Sequence, residues 1–257
     1  MSKAHHFLGI DVGASGIKGA IVDVTTGELL TDRLRVPTPQ PATPAAMTKA
    51  FGELYAMFDY KGKHVGVGFP AIVRNGVALS AANISPDWIR TSVAERFGKE
   101  CGKKVHVLND ADAAGLASVS YGTAKQAKGV TVFLTIGTGI GSAMFIDGKL
   151  VPNSEFGHFY MPNGMKSEHY ASSKTRKTLD LGWDVWSKRF NEVLAQLDRV
   201  LSPDLYILGG GASKHFETYK HNLDTPVPVV PSAFKNEAGS VGAAIYAHQR
   251  SAGGKAK

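Results

Sequence analysis

The chain has 257 residues, one cysteine and a formal charge of +7, enough length for one large domain or two modest ones. A lone cysteine excludes a disulfide framework and a Cys-rich zinc centre. No apolar run is long enough for a membrane span and no signal peptide is evident, so a soluble, cytoplasmic protein is expected. The basic balance suits a polyanionic partner, such as nucleic acid, an acidic surface or a phosphate polymer, but no basic-aromatic motif of a nucleic-acid module is present.

β-Branched alternation predicts strands over 7–12 and 17–24, and the turn Thr25-Thr26-Gly27-Glu28 leads into a third over 29–36. Pro37, Pro39, Pro41 and Pro44 mark a loop, and Thr43-Pro44 starts a helix carried by 45–58, with a cap residue before proline. A strand over 64–69, a helix over 88–101 and a strand over 104–108 follow. The second half reads helix 111–121, then strands 130–136 and 141–146, with Asp147-Gly148 as a hairpin turn. Next comes the longest helical stretch, 179–201, with Leu181, Val185, Phe190, Val193, Leu194, Leu197 and Leu201 at helical spacing. A strand over 205–208 enters Gly209-Gly210-Gly211, 226–231 is extended, 237–250 is a final helix, and 251–257 is expected to be a disordered tail. The order βββαβα, roughly twice, argues for an α/β protein of two similar lobes with a central cleft. The expected lobes are 1–108 with 239–257, and 109–238.

Two glycine-rich turns stand between apolar runs: Asp11-Val12-Gly13-Ala14-Ser15-Gly16-Ile17-Lys18 and Thr135-Ile136-Gly137-Thr138-Gly139-Ile140-Gly141. Both read strand, tight turn, strand, as distant copies. Such bends set backbone N–H groups and small hydroxyls around an anion, and glycine permits close approach and positive φ. Two of them facing each other would hold a phosphoryl donor, which makes phosphoryl transfer the leading reading. Gly13, Ser15, Gly16 and Lys18 line one candidate cradle, with Asp11 beside it; Thr138, Gly139 and Gly141 line the other. Each turn alone also reads as an ordinary hairpin, and Lys18 as a solvated strand residue. Asn109-Asp110 ends a strand where it enters a helix, the place where ligand crevices form in α/β sheets. A carboxylate there can take the proton of an attacking hydroxyl, or cap the helix. Asp112 reads as structural. Glu155-Phe156-Gly157-His158 combines a carboxylate and an imidazole, groups suited to a polyhydroxy compound.

In this order the two turns, Asn109-Asp110-Ala111-Asp112-Ala113-Ala114 and Glu155-Phe156-Gly157-His158 resemble the ROK sugar kinases over nearly the whole chain. Those proteins have the actin-like (hexokinase-like, RNase H-like) ATPase fold, and the likeness is greatest to the branch of polyphosphate-dependent glucokinases and glucomannokinases. The resemblance implies Mg²⁺-dependent transfer of a phosphoryl group from inorganic polyphosphate to the 6-hydroxyl of glucose, or of mannose, with Asp110 as general base. It implies Asn83, Asn109, Glu155, His158 and Glu168 on the hexose, Asp11 near Mg²⁺ through water, no direct protein metal ligand, and a homodimer. Gly209-Gly210-Gly211 would lie by a nucleoside. Lys174, Arg176 and Lys177, or Lys103 and Lys104, are candidates for a longer polyphosphate contact or for plain surface charge. Ala14 stands where many relatives carry glycine. Residues 159–167 hold no cysteine where many members carry a zinc motif, and the polyphosphate branch lacks that motif too. The rivals are an ATP-dependent kinase of the same fold and a sugar-responsive regulator. The regulator class adds an N-terminal helix-turn-helix, for which a lobe starting by Phe7 leaves no room.

Overall fold

The computed structural model describes residues 5–122, 124–125 and 127–252. The chain separates into two compact units, one running to Ala117 and resuming at Glu237, the other Ser118–Asn236. The division thus falls after residue 117 and before 237, where 108 and 239 were expected from sequence.

In the first unit, β1 (His6–Gly13) and β2 (Gly16–Asp23) form a hairpin, and β3 (Glu28–Leu29) and β4 (Leu34–Val36) both pair with β2. The helix α1 (Pro44–Ala56) starts as its sequence requires: Thr43 precedes Pro44 and its side chain accepts from Ala46 N at 3.3 Å. The strand β5 (His64–Phe69) lies parallel to β1; a small hairpin, β6 (Val73–Arg74) and β7 (Val77–Ala78), follows. After α2 (Val93–Cys101), β8 (Lys104–Asn109) joins parallel to β5 and runs into α3 (Asp110–Tyr121), giving the sheet order β3-β2-β1-β5-β8. Leu8, Ile10, Val12, Val65 and Val67 pack with Met47, Phe51, Leu54 and Phe97, and the Phe51 and Phe97 rings stack at 4.2 Å.

The second unit repeats this path. An antiparallel meander, β9 (Val130–Ile136), β10 (Ile140–Ile146) and β11 (Lys149–Val151), is followed by α4 (Ser167–Ala171), α5 (Ser173–Thr178) and α6 (Trp183–Leu201). Then β12 (Leu205–Gly209) lies parallel to β9; α7 (Gly210–Ser213) and α8 (Phe216–Tyr219) precede β13 (Val229–Pro231), giving β11-β10-β9-β12-β13. Trp186, Phe190, Val193, Leu194 and Leu197 of α6 build its core with Val132, Leu134, Tyr206 and Leu208. The last helix, α9 (Ala238–Ala252), belongs to the first unit. It lies directly on the sheet: a Cβ at Gly9 would overlap Ser240 O, and one at Gly66 would overlap Ala243 O. Glycines paired in register at these two positions therefore let a helix backbone touch a sheet backbone.

Some elements depart from the sequence reading. The single strand expected over 29–36 is two, because Thr31 Oγ1 accepts from Ile21 N at 3.1 Å and replaces a ladder carbonyl. The helix expected from 88 starts at Val93, after a 3₁₀ turn Pro86–Trp88 and Arg90 at φ 65°. Trp88 is fully buried and donates to Ala42 O at 3.1 Å, so it anchors the core instead of starting a helix. The helix expected from 179 starts at Trp183, interrupted by Asp180 at φ 46°. Ser251 and Ala252, expected in a disordered tail, belong to α9, and residues 253–257 of that tail lie outside the described residues. No helix among the described residues is long and apolar enough to cross a membrane.

Candidate active site

The turn between β1 and β2 is closed by the Gly13–Gly16 pair, with exposed Ala14 and Ser15 at its tip. Thr38 Oγ1 donates to Gly13 O at 2.5 Å and Arg35 to Ser15 O at 2.6 Å. None of Gly13, Gly16, Gly137, Gly139 and Gly141 has a positive φ, so no glycine of either turn is required by a left-handed conformation; Gly16 and Gly139 instead admit close neighbours, while a Cβ at Gly137 would meet open space. A Cβ at Gly16 would run into the Arg35 guanidinium, and one at Gly13 would lie 3.8 Å from Lys18 Nζ. Asp11, two residues before the turn, is half-buried, and its carboxyl packs on Gly239 in the first turn of α9, where a Cβ would lie 2.7 Å from Asp11 Cγ. Burial pushes this carboxyl above its ordinary range, against the pull of Lys18 and Arg33.

At the end of β8, Asn109 and Asp110 divide two tasks. Asn109 is buried and caps α3: its Oδ1 accepts from Ala111 N at 2.8 Å and Asp112 N at 3.1 Å, and its Nδ2 donates to Ala71 O at 3.1 Å. The cap is therefore Asn109, and Asp110 is the first residue of the helix, half-buried, with Oδ1 accepting from Ala111 N at 2.8 Å. The helix terminus favours its anion. Gly68 brings the two aspartates' surroundings together, since a Cβ there would lie 3.6 Å from Asp110 Cα and 3.9 Å from Gly239 O. Asn83 is exposed on the loop after β7.

In the second unit the β9–β10 turn is held from several sides. Gly137 N donates to Gly139 O at 3.0 Å, Lys174 N to Gly137 O at 3.2 Å, and Ser173 Oγ to Ile136 O at 3.2 Å. Thr138 is exposed at the tip, and Gly141 pairs with Thr135 within the ladder. Gly139 lies under the Glu168 carboxylate, which a Cβ would displace, and Gly157 lies against Ile140 O. The turn and the Glu155–His158 segment are thus one packed cluster. His158 links the carboxylates: Nδ1 is 3.6 Å from Glu155 Oε2, and Nε2 is 3.6 Å from Glu168 Oε1. Burial pushes the Glu155 carboxyl up; His158 lowers it and Glu168 raises it further.

Two buried serines, not singled out from sequence, set this cluster. Ser142 Oγ donates to Ser154 O at 2.7 Å and accepts from Phe156 N at 2.8 Å, fixing the backbone on both sides of Glu155. Ser167 Oγ donates to Phe156 O at 2.7 Å, next to Glu168. Gly239 and Arg35 were likewise missed, because both meet the first turn only through tertiary contact. Gly210, at φ 75°, packs on the Ile136 backbone, so the glycine run after β12 abuts the second turn.

The basic candidates separate. Arg176 stacks over Trp183 at 4.1 Å and donates to Leu181 O at 2.9 Å, a packing role. Lys174 and Lys177 are exposed on α5, whose start is fastened to the second turn. Lys103 and Lys104 lie at the start of β8, the opposite end from Asp110. Among the described residues no group of three His, Cys, Asp or Glu could hold a metal ion. A half-buried, desolvated Asp11 fits a Mg²⁺ that keeps its waters and takes most other oxygens from phosphate.

The family model for the ROK family matches residues 7–172. Over 241 residues, 93% of this chain and 90% of the other, the sequence is 45% identical to a polyphosphate glucokinase of Mycobacterium tuberculosis. An inorganic polyphosphate/ATP-glucomannokinase from Arthrobacter sp. strain KM superposes with a TM-score of 0.90 at 43% identity, covering 95% of this chain and 99% of that one. A ROK glucokinase from Streptomyces griseus, solved with glucose and AMPPNP, superposes at 0.77 with 25% identity over 95% of this chain and 99% of that one. The repeated sheet path and these likenesses agree: the chain has the actin-like ATPase fold and belongs to the ROK family.

Proposed function

We infer that this protein is a polyphosphate-dependent glucokinase, a kinase with a hydroxyl acceptor. Likeness along nearly the full chain to a polyphosphate glucokinase and a polyphosphate/ATP-glucomannokinase supports the donor and the sugar. The observation that carries the chemistry is the position of the half-buried Asp110 carboxylate at the carboxyl end of β8, beside Asn109, whose Oδ1 caps α3 at Ala111 N and Asp112 N.

In this reading Glu155, His158 and Glu168 hold the hexose hydroxyls, with Asn83 and Asn109 as further partners. Carboxylates accept from the sugar, and the imidazole, set between Glu155 and Glu168, donates or accepts. Asp110 takes the proton of the 6-hydroxyl as that oxygen bonds to the terminal phosphorus; the bond to the bridging oxygen breaks, and the donor leaves one phosphoryl shorter. Gly13, Ser15, Gly16 and Lys18 hold donor phosphate at the first turn, and Thr138, Gly139 and Gly141 do so at the second. Bound Mg²⁺, held by Asp11 through water, would neutralise donor oxygens. Positioning and charge stabilisation supply most of the acceleration. We also propose a cytoplasmic homodimer, from the family resemblance, which light scattering on the purified protein would test.

The decisive assay is formation of glucose 6-phosphate from nucleotide-free polyphosphate and, separately, from ATP. Turnover with polyphosphate is expected. Turnover with ATP alone would overturn the donor assignment and keep the sugar kinase.

A further inference from the structure

The strands β1, β2 and β4 place three charges in one cross-strand row. Asp11 is opposite Lys18, and Lys18 is opposite Arg35, so the three share a sheet face beside the Gly13–Gly16 turn. Like charges directly opposite across a ladder are destabilising, and among the described residues no carboxylate lies within ion-pair distance of Lys18 or Arg35. The row is therefore left with a local cationic excess beside the Gly13–Gly16 turn. Arg35 is not a loose surface side chain. Its guanidinium lies where a Gly16 Cβ would be, and it donates to Ser15 O at 2.6 Å. One of its five N–H donors is engaged there, and the fork as a whole is built for paired phosphate oxygens. Nothing in the sequence around Arg35 marks it, since only strand pairing brings it to the turn.

We propose that Arg35 is a donor-binding residue: with Lys18 it holds phosphate oxygens of the phosphoryl donor at the first turn. The assignment rests on the kinase reading above and names the residue through which that turn meets a polyanion. It also accounts for Gly16, since any side chain there would expel the guanidinium.

The test separates a charge contact from a clamp on Ser15 O. Arg35→Gln keeps an amide donor and removes the charge; Arg35→Lys keeps the charge. With wild-type activity on polyphosphate measured first, so that failure of the donor reading shows there, Arg35→Gln is expected to raise the donor KM about tenfold or more. It should also flatten the salt dependence of that KM by roughly one unit of log–log slope, by analogy with other polyanions. Glucose affinity stays at the wild-type level, and Arg35→Lys recovers part of the donor KM and most of the slope. A donor KM and salt slope in Arg35→Gln equal to wild type would overturn the proposal. A second readout needs no variant. Polyphosphate, and not glucose, should protect Arg35 of the wild-type protein from phenylglyoxal, mapped by mass spectrometry; modification at the same rate with and without donor would overturn the assignment.

Discussion

The two glycine turns hold the same place in the sheet path but differ in their bend, a two-residue loop closed by Gly13 and Gly16 against a three-residue loop closed by Ile136 and Ile140, and in their surroundings. Each joins the first two strands of a meander whose first strand then takes a parallel neighbour. Around the first turn stand Lys18, Arg35 and a desolvated Asp11 packed on a helix start. Around the second stand Glu168, His158 and Glu155, joined into one chain of ionisable groups. A repeated sheet path thus supplies two corresponding bends, and tertiary packing surrounds the first with cationic side chains and the second with carboxylates and an imidazole.

The largest expected effect removes the group that neither turn supplies. Asp110→Asn should lower turnover by about 10²–10⁴ while glucose affinity is kept, because Asn109 still caps α3; near-normal turnover would refute the general base. Next, two alanines should separate the turns. Gly239→Ala drives a methyl into Asp11 and should raise the donor KM with little change for glucose. Gly139→Ala displaces the Glu168 carboxylate and should weaken glucose roughly tenfold, with a nearly unchanged melting temperature, since only the end of a flexible side chain must move. Equal effects of both variants on both substrates would break the comparison. Ser142→Ala leaves Phe156 N without its 2.8 Å acceptor and should cost about 1–2 kcal/mol, read as a lower melting temperature and several-fold weaker glucose binding.

The smallest effect concerns the first unit away from its turn. His64 Nδ1 and His106 Nε2 are 2.9 Å apart in the sheet. Burial, then His64, Lys104 and Arg250, push His106 down to about 4; burial and nearby lysines lower His64. Both bind a proton more readily unfolded than folded. The stability they lend is therefore complete above the ordinary value of 6.5 and declines as pH falls towards 4. Thermal melts should show a loss on the order of 2 kcal/mol across that window, and His106→Gln should flatten it. No change of slope in the variant would exclude the pair as its source.

Much of this was legible from residue patterns. The alternation in β1, β2, β9 and β10, the Thr43-Pro44 helix start and the stripe of α6 are local signals, and local hydrogen bonding honours them. Asp110 and the Glu155–His158 run could be marked because motif and position coincide. What escaped depends on distant chain. Arg35 reaches its turn only through β4 pairing, Gly239 reaches Asp11 only through docking of α9, and Ser142 matters because a loop twelve residues on folds back to it. The hairpin β6–β7 did carry a local signal, Asn75-Gly76 with φ of 51° and 77°, suited to a tight two-residue turn. Trp88 shows the opposite failure, where helical-looking sequence gave way to burial of one large ring.

The seating of α9 on Gly9 and Gly66 also bears on how the chain is made. The second unit, Ser118–Asn236, is contiguous and can close as soon as it is synthesised, whereas the first sheet keeps a bare glycine-lined face until residues past Glu237 emerge. Vectorial synthesis would therefore finish the later half before the earlier one, against the usual order in which N-terminal domains fold first. Asp11 acquires its Gly239 neighbour only when α9 docks, so the surroundings of the first turn wait on a helix synthesised after the whole second unit.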